Sequence, residues 1–150
     1  VQVKTLDGQI QNWQLTGHFA HAKLENKSSL HISARQILKN KFPTLQILEE
    51  IPIPVKKSES YFLDFYIPML KTAIEVHGEQ HYKFVAFYHN NQLGFIKSQK
   101  RDREKKEWCE INNIQYIELP HHESEEQWVE RISSDNINQK HIVRSNKLLG

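Results

Sequence analysis

The sequence predicts an α/β fold in which a mixed β-sheet is flanked by helices, and three observations predict it. Apolar residues recur three and four positions apart after Ser28 and again after Glu123, the period of a helix that packs one face on a core. Between those segments lie short apolar runs of strand length, at Leu45 to Ile51, Tyr61 to Ile67, Thr72 to Val76 and Ile114 to Leu119. A strongly charged helical stretch, Ser98 to Asn113, separates the last two runs, and a helix crossing between strands covers a sheet rather than filling a barrel. The expected order is helix, three strands, helix, strand, helix.

Each element has its own local reason. Val1, Val3, Leu6, Trp13 and Leu15 around the turn pair Asp7-Gly8 read as a hairpin appendage over residues 1–27. The first helix carries Leu30, Ala34, Ile37, Leu38 and Phe42 and stops at Pro43. Pro52, Pro54 and a Lys/Ser turn separate the first two strands, and Pro68 to Leu70 turn the second into the third. Residues 78–97 show no clear period but hold Tyr82, Phe84, Phe87, Tyr88 and Phe95, so they read as a long loop of the kind that is often functional. The charged helix carries Trp108, Cys109 and Ile111; the following strand stops at Pro120, and a last helix runs from about Glu123 to Ile132. Residues 28–133 thus form the core domain, and residues 134–150, with Lys140, Arg144 and Lys147 against Asp135, form a basic tail.

At 150 residues the chain suits one domain with one core. Its net charge of +2 announces no nucleic-acid partner by itself, so the placement of charge matters more. The single cysteine, Cys109, excludes an internal disulfide and a cysteine-rich zinc ribbon; it fits a reducing intracellular setting and reads as a buried apolar residue. No run approaches the ~20 apolar residues of a membrane span, and the N-terminal residues lack a signal-peptide layout, so a soluble, intracellular protein is expected. A start at Val1 fits either removal of an initiator methionine or a beginning inside a longer reading frame.

The chemistry-bearing residues interrupt the strands. Asp64 sits in Tyr61-Phe62-Leu63-Asp64-Phe65-Tyr66-Ile67, where a carboxylate is costly to desolvate without compensation. Glu75 interrupts Ala73-Ile74-Glu75-Val76, and His77, two residues on, shares its face. Across the Pro68 to Leu70 turn Asp64 and Glu75 are expected to meet, and two carboxylates so close repel unless a cation lies between them. A hard divalent ion, Mg2+ or Mn2+, suits such a pair, because it takes one or two carboxylates and fills its remaining positions with water and phosphate oxygens. His77 is then the proton-moving group, an imidazole whose ordinary pKa near 6.5 leaves it a free base at neutral pH.

The run Tyr61 to Tyr82, YFLDFYIPMLKTAIEVHGEQHY, resembles the core of the PD-(D/E)XK nuclease superfamily. The similarity is to the branch containing very-short-patch-repair endonucleases and phage homing or restriction-like endonucleases, with the shared positions at Asp64, Glu75, His77, Gly78, Gln80, His81 and Tyr82. It extends to Arg101-Asp102 with Lys105 or Lys106 on the basic helix and to Asn113-Ile114, over roughly residues 29 to 120. The resemblance implies a restriction-endonuclease-like core and a Mg2+- or Mn2+-dependent endonuclease of homing type acting on double-stranded DNA, with a homodimer open to it, in the cytoplasm of a bacterial or phage-infected cell. By the same resemblance its metal ligands are Asp64 and Glu75, its catalytic residues Asp64, Glu75 and His77, and Gln80 and His81 stand behind them. The superfamily's usual lysine is replaced by His77, Leu63 stands at the signature proline, and Ser33, Ala34 and Gln36 occupy the first-helix face that often carries an acid. A catalytically silent nuclease-fold module that binds DNA or RNA, and a repair or restriction nuclease of the same fold, are the alternatives.

Arg101, Lys105 and Lys106 are expected to contact phosphates, and Phe87 and Tyr88 to stack on bases or wedge into a duplex. Against this, Lys97 to Lys106 alternates with Asp102, Glu104 and Glu107, as an ordinary solvated helix does. His77 and His81 have the spacing of an HxxxH zinc pair, but that needs a helix, and Gly78 argues against one. His89-Asn90-Asn91 reads as a loop tip and His121-His122 as solvated turn residues.

Overall fold

The computed structural model describes residues 8–10, 28–56, 59 and 61–133. Within them a four-stranded sheet is built in the order β1 (Leu48–Ile53), β2 (Tyr61–Ile67), β3 (Thr72–His77), β4 (Gln115–Pro120). The first three strands are antiparallel neighbours and β4 runs parallel to β3. Parallel neighbours need a long crossover. Here α2 (Ala86–His89) and α3 (Gln92–Ile111) supply it, while α1 (Ser29–Lys41) precedes the sheet and α4 (Glu125–Arg131) follows it. The sheet is therefore mixed and flanked by helices, as the hydrophobic pattern requires.

Two apolar clusters occupy its two faces. Ala34 and Leu38 of α1 and Trp128 of α4 pack with Phe65, Ile67, Ile74, Val76, Ile117 and Leu119 on one side. Cys109 of α3 packs with Leu48, Ile51, Leu63, Tyr66 and Ala73 on the other. Burial of Cys109 pushes its thiol up to about 12, so it is an inert apolar residue at neutral pH. Helix ends are closed by side chains: Ser28 accepts the His31 N–H, Asn91 accepts the Gly94 N–H, and Ser124 and Gln127 form a reciprocal capping box.

The pleat reverses at one point, and the site is built there. Leu48 and Ile51 share a cluster although they are three apart, and so do Leu63 and Tyr66. A regular strand alternates its faces every residue. Glu50 takes the left-handed conformation with φ 51°, and the register from Glu49↔Phe65 to Ile51↔Leu63 sets it beside Asp64. Asp64 thus lies where β2 changes faces, its side chain 30% exposed within a largely buried strand.

Several boundaries differ from the sequence reading. Pro52 does not separate two strands; it lies inside β1, paired with Phe62, on an edge strand that tolerates a missing donor. Residues 78–97 are not a long loop. They hold a 3-10 turn at Glu79–His81, α2, and the first turns of α3, which begins at Gln92 rather than Ser98. The aromatics hid the helical period, and the α2–α3 junction is so tight that a Cβ at Gly94 would lie 2.1 Å from the His89 carbonyl oxygen. Residues 8–10 are helical where Asp7-Gly8 was expected to turn, and the remainder of the appendage and the basic tail lie outside the described residues. No helix among the described residues is long and apolar enough to cross a membrane.

Candidate metal centre

Asp64 and Glu75 meet across β2 and β3, as their strand positions require. The Asp64 N–H donates to Glu75 Oε1 at 3.2 Å, and Asp64 Oδ2 accepts the Val76 N–H at 2.8 Å. Glu75 is almost fully buried. Burial, and next the charge of Asp64, push its carboxyl well above the usual carboxylate range; Lys105 opposes them only in part. Lys105 Nζ, reaching down from α3, stands 3.7 Å from Glu75 Oε2, with its side chain only 12% exposed. Ionising Glu75 beside Asp64 therefore calls for more positive charge than the single Lys105 ammonium supplies. A divalent cation is the partner that such a donor set fits.

These residues line one cavity of ≈ 510 Å³, together with His31, Gln80, His81 and Tyr88. His81 Nδ1 is 2.8 Å from Asp102 Oδ2, so α3 orients this ring as well. Gln80 and His81 reach the cavity because Gly78 starts the 3-10 turn directly after β3.

His77 goes elsewhere. Its Nδ1 lies 3.0 Å from Glu118 Oε1 and its Nε2 3.3 Å from the Tyr116 hydroxyl, both on β4, and it is absent from the cavity lining. The His77 hydrogen bond, with burial opposing and Tyr82 assisting, holds Glu118 at about 2. His77 also stacks on His81, ring centroids 4.2 Å apart, so the pair is brought together by a turn and not by a helix. With Asp102 these two rings place candidate ligand atoms within 4.8 Å of one another, but the parallel planes, 2° apart, aim their lone pairs side by side rather than at a common point.

The sequence reading missed a second group entirely. His31 and Arg35, one turn apart on α1, and Glu49 on β1 are all buried. Arg35 Nη2 donates to Glu49 Oε1 at 2.7 Å, and Arg35 Nε lies 3.2 Å from Glu49 Oε2. His31 Nε2 bonds the same carboxylate, while His31 Nδ1 points to Asp64 Oδ1 at 4.0 Å. The available signal was the i, i+4 spacing of His31 and Arg35 beside the apolar stripe of α1.

The residues expected to contact DNA differ in their environments. Phe87 is 86% and Tyr88 60% exposed, which removes them from any satellite core. Arg101 and Lys106 are exposed on α3, and the Arg101 guanidinium also sits 5.7 Å from the Tyr61 ring centroid. Lys105, in contrast, points inward, so the two adjacent lysines are not equivalent.

No family model matches the chain, and no solved structure matches it significantly. It is similar to uncharacterized protein 307L of Invertebrate iridescent virus 6, 42% identical over 59 residues, and to uncharacterized protein 094L of Frog virus 3, 40% identical over 60 residues. A third relative, uncharacterized protein 033L of Invertebrate iridescent virus 3, is 34% identical over 59 residues. Each match covers 39% of this chain and 30% to 39% of the relative, so the chain spans well under half the length of the viral proteins it matches.

Proposed function

We propose that the protein is a metal-dependent endonuclease that hydrolyses phosphodiester bonds in double-stranded DNA, with a homing-type, site-specific role. The observation that carries this reading is the meeting of Asp64 and Glu75 beside Lys105 in one cavity, since that trio suits a divalent cation facing a phosphate. When bound, the ion neutralises phosphate charge and lowers the pKa of a water. Asp64 and Glu75 would hold Mg2+ or Mn2+. Lys105 brings to the site the fixed positive charge that β3, with His77 in place of a lysine, does not supply. An ammonium on a side chain only 12% exposed stabilises developing negative charge more than one in bulk solvent.

Proton movement falls to an imidazole held in one orientation. His81 meets that need, being fixed through Nδ1 by Asp102 and lining the cavity, whereas His77 has both nitrogens turned to β4. Phosphates flanking the scissile one are neutralised by the exposed Arg101 and Lys106, and Phe87 and Tyr88 offer planar surfaces to bases.

Incubation with supercoiled plasmid tests the reading. Mg2+ or Mn2+ should support nicking or linearisation, EDTA should abolish it, and Ca2+ should permit binding without cutting. Undiminished cutting in EDTA overturns the metal mechanism. Binding with no cutting under any divalent ion assigns the chain to the silent nuclease-fold class.

A further inference from the structure

We infer that His31 is a third ligand of the metal held by Asp64 and Glu75, and that it tunes the site toward first-row transition ions such as Mn2+ and away from Mg2+. The inference rests on the proposed function above and concerns the same site.

The direction of the ring comes first. His31 is 6% exposed, sits in the first turn of α1, and lines the cavity. Glu49 receives two nitrogens of Arg35 on its carboxylate, so it stands as the acceptor toward the imidazole. In the metal-binding form of the ring, Nε2 then carries the proton toward Glu49 and Nδ1 offers the lone pair. That atom faces Asp64. At 4.0 Å from Asp64 Oδ1 it is too far for a hydrogen bond, yet one ion at ~2.0–2.2 Å from each atom can bridge a gap of up to about 4.2 Å.

The surroundings match a metal-bound histidine. Such a ring almost always donates its other N–H to a carboxylate that fixes its tautomer and raises its basicity. Glu49 does this for His31, and Arg35 in turn fixes Glu49. Stacking on Phe65, at 4.6 Å between ring centroids, holds the plane of the ring. A burial this deep for a histidine, an arginine and a glutamate is costly unless the three form a satisfied unit. The ring nitrogen that Glu49 does not hold, Nδ1, lies 4.0 Å from Asp64 Oδ1, beside the proposed ion.

The donor set then decides the metal. Mg2+ is a hard ion that demands oxygen and releases its waters reluctantly, whereas imidazole is a ligand for transition ions. Two carboxylates with one imidazole suit a first-row transition ion better than Mg2+ or Ca2+, and Mn2+ is the paramagnetic member that reports the ligand.

Electron spin-echo spectroscopy of Mn2+ bound to the full chain tests this without reference to activity. Wild-type protein should show 14N modulation from a coordinated imidazole, changing to the 15N pattern when histidine is 15N-labelled. His31→Gln should lose the modulation and bind Mn2+ about 10- to 100-fold more weakly, with a smaller loss for Mg2+. His81→Gln and His121→Gln, the other cavity histidines, should retain it. If His31→Gln does not fold, survival of the modulation in both of those variants and in His77→Gln leaves His31 as the ligand among the described histidines near the site. Mn2+ bound with no histidine modulation, or with modulation lost in His81→Gln, overturns the inference while leaving the carboxylate site standing. Failure to bind any Mn2+ overturns the inference and the proposed function together.

Discussion

Lys105 Nζ lies 3.7 Å from Glu75 Oε2, while the next residue on the same helix, Lys106, is exposed. One step along a helix turns a side chain by about 100°, so adjacent lysines cannot share an environment. Lys105→Met is expected to slow cleavage by about 100- to 1,000-fold, the usual effect of losing one positioned donor. Lys106→Met is expected to leave the rate at saturating DNA unchanged, weaken binding to all sequences, and reduce the salt slope by about one unit. Single-turnover rates and a salt titration of binding separate the two. Equal effects of both substitutions would place Lys105 among the ordinary phosphate contacts.

For Asp64 the expected outcome is a split between activity and stability. Asp64→Asn should abolish cleavage and remove the rise in melting temperature that Mn2+ gives the wild type. In EDTA its melting temperature should equal or exceed that of the wild type, because Asp64 is, after burial, the main reason Glu75 resists ionisation. A large drop in metal-free stability would show that Asp64 serves the Val76 N–H and the strand rather than an ion.

Asp64 and Glu75 were legible in the sequence because a carboxylate inside an apolar strand stands out against its neighbours. Strand alternation also showed where each would point. His31, Arg35 and Glu49 were not legible, since a histidine and an arginine beside an apolar helical stripe look like the solvated flank of α1. Their burial follows from the docking of α1 over the sheet, a contact between segments that periodicity alone does not place. His77 was legible only in part. Sharing a face with Glu75 is a property of the strand, but which partner the ring reaches depended on β4 lying beside β3 with Glu118 and Tyr116 in range. The inward turn of Lys105 could have been read from Cys109, four residues on and buried on the same helical face.

The buried Glu49 gives a pH dependence with a definite sign. Burial alone would raise its carboxyl, but the hydrogen bonds and charges of His31 and Arg35 outweigh that and hold it at about 2, against 4.5 for an ordinary glutamate. A depressed folded-state pKa contributes stability that is complete above about pH 4.5 and is lost as pH falls toward 2. The contribution is about 3 kcal/mol, since each tenfold change in an ionisation constant is worth ~1.4 kcal/mol. Denaturant unfolding of metal-free protein across this range should show that slope, and Glu49→Gln should flatten it. An unchanged slope in the variant would assign acid sensitivity to other carboxylates.

Phe87 and Tyr88 project from α2 into solvent, so their removal should cost little in folding. Phe87→Ala with Tyr88→Ala is expected to stay within about 0.5 kcal/mol of wild-type stability, as surface changes do. Affinity for a specific duplex should fall more than affinity for random duplex. Equal losses on both, or a lowered melting temperature, would withdraw the wedge or stacking role.

The two stacked rings are separated by a final prediction. His77 is 5% exposed, bonded through Nδ1 toward Glu118 and through Nε2 toward Tyr116, and sits outside the cavity; His81 lines it and is oriented by Asp102. A ring with both nitrogens engaged on β4 is placed to join strands, and removing it leaves the Tyr116 hydroxyl without that partner and the half-buried Glu118 carboxylate with Tyr82 alone. His77→Gln should therefore cost about 1–3 kcal/mol of stability, the penalty of an unmet buried polar group, with the cleavage rate of the folded fraction within about tenfold of wild type. His81→Gln should do the reverse, with stability nearly kept, Mn2+ and DNA binding intact, and cleavage slowed by about 100- to 10,000-fold. The wild-type rate should also show an imidazole limb in its pH profile that His81→Gln lacks and His77→Gln keeps. Should the limb vanish in His77→Gln instead, the ring must leave Glu118 during the reaction, and the proton-moving role returns to the residue on β3.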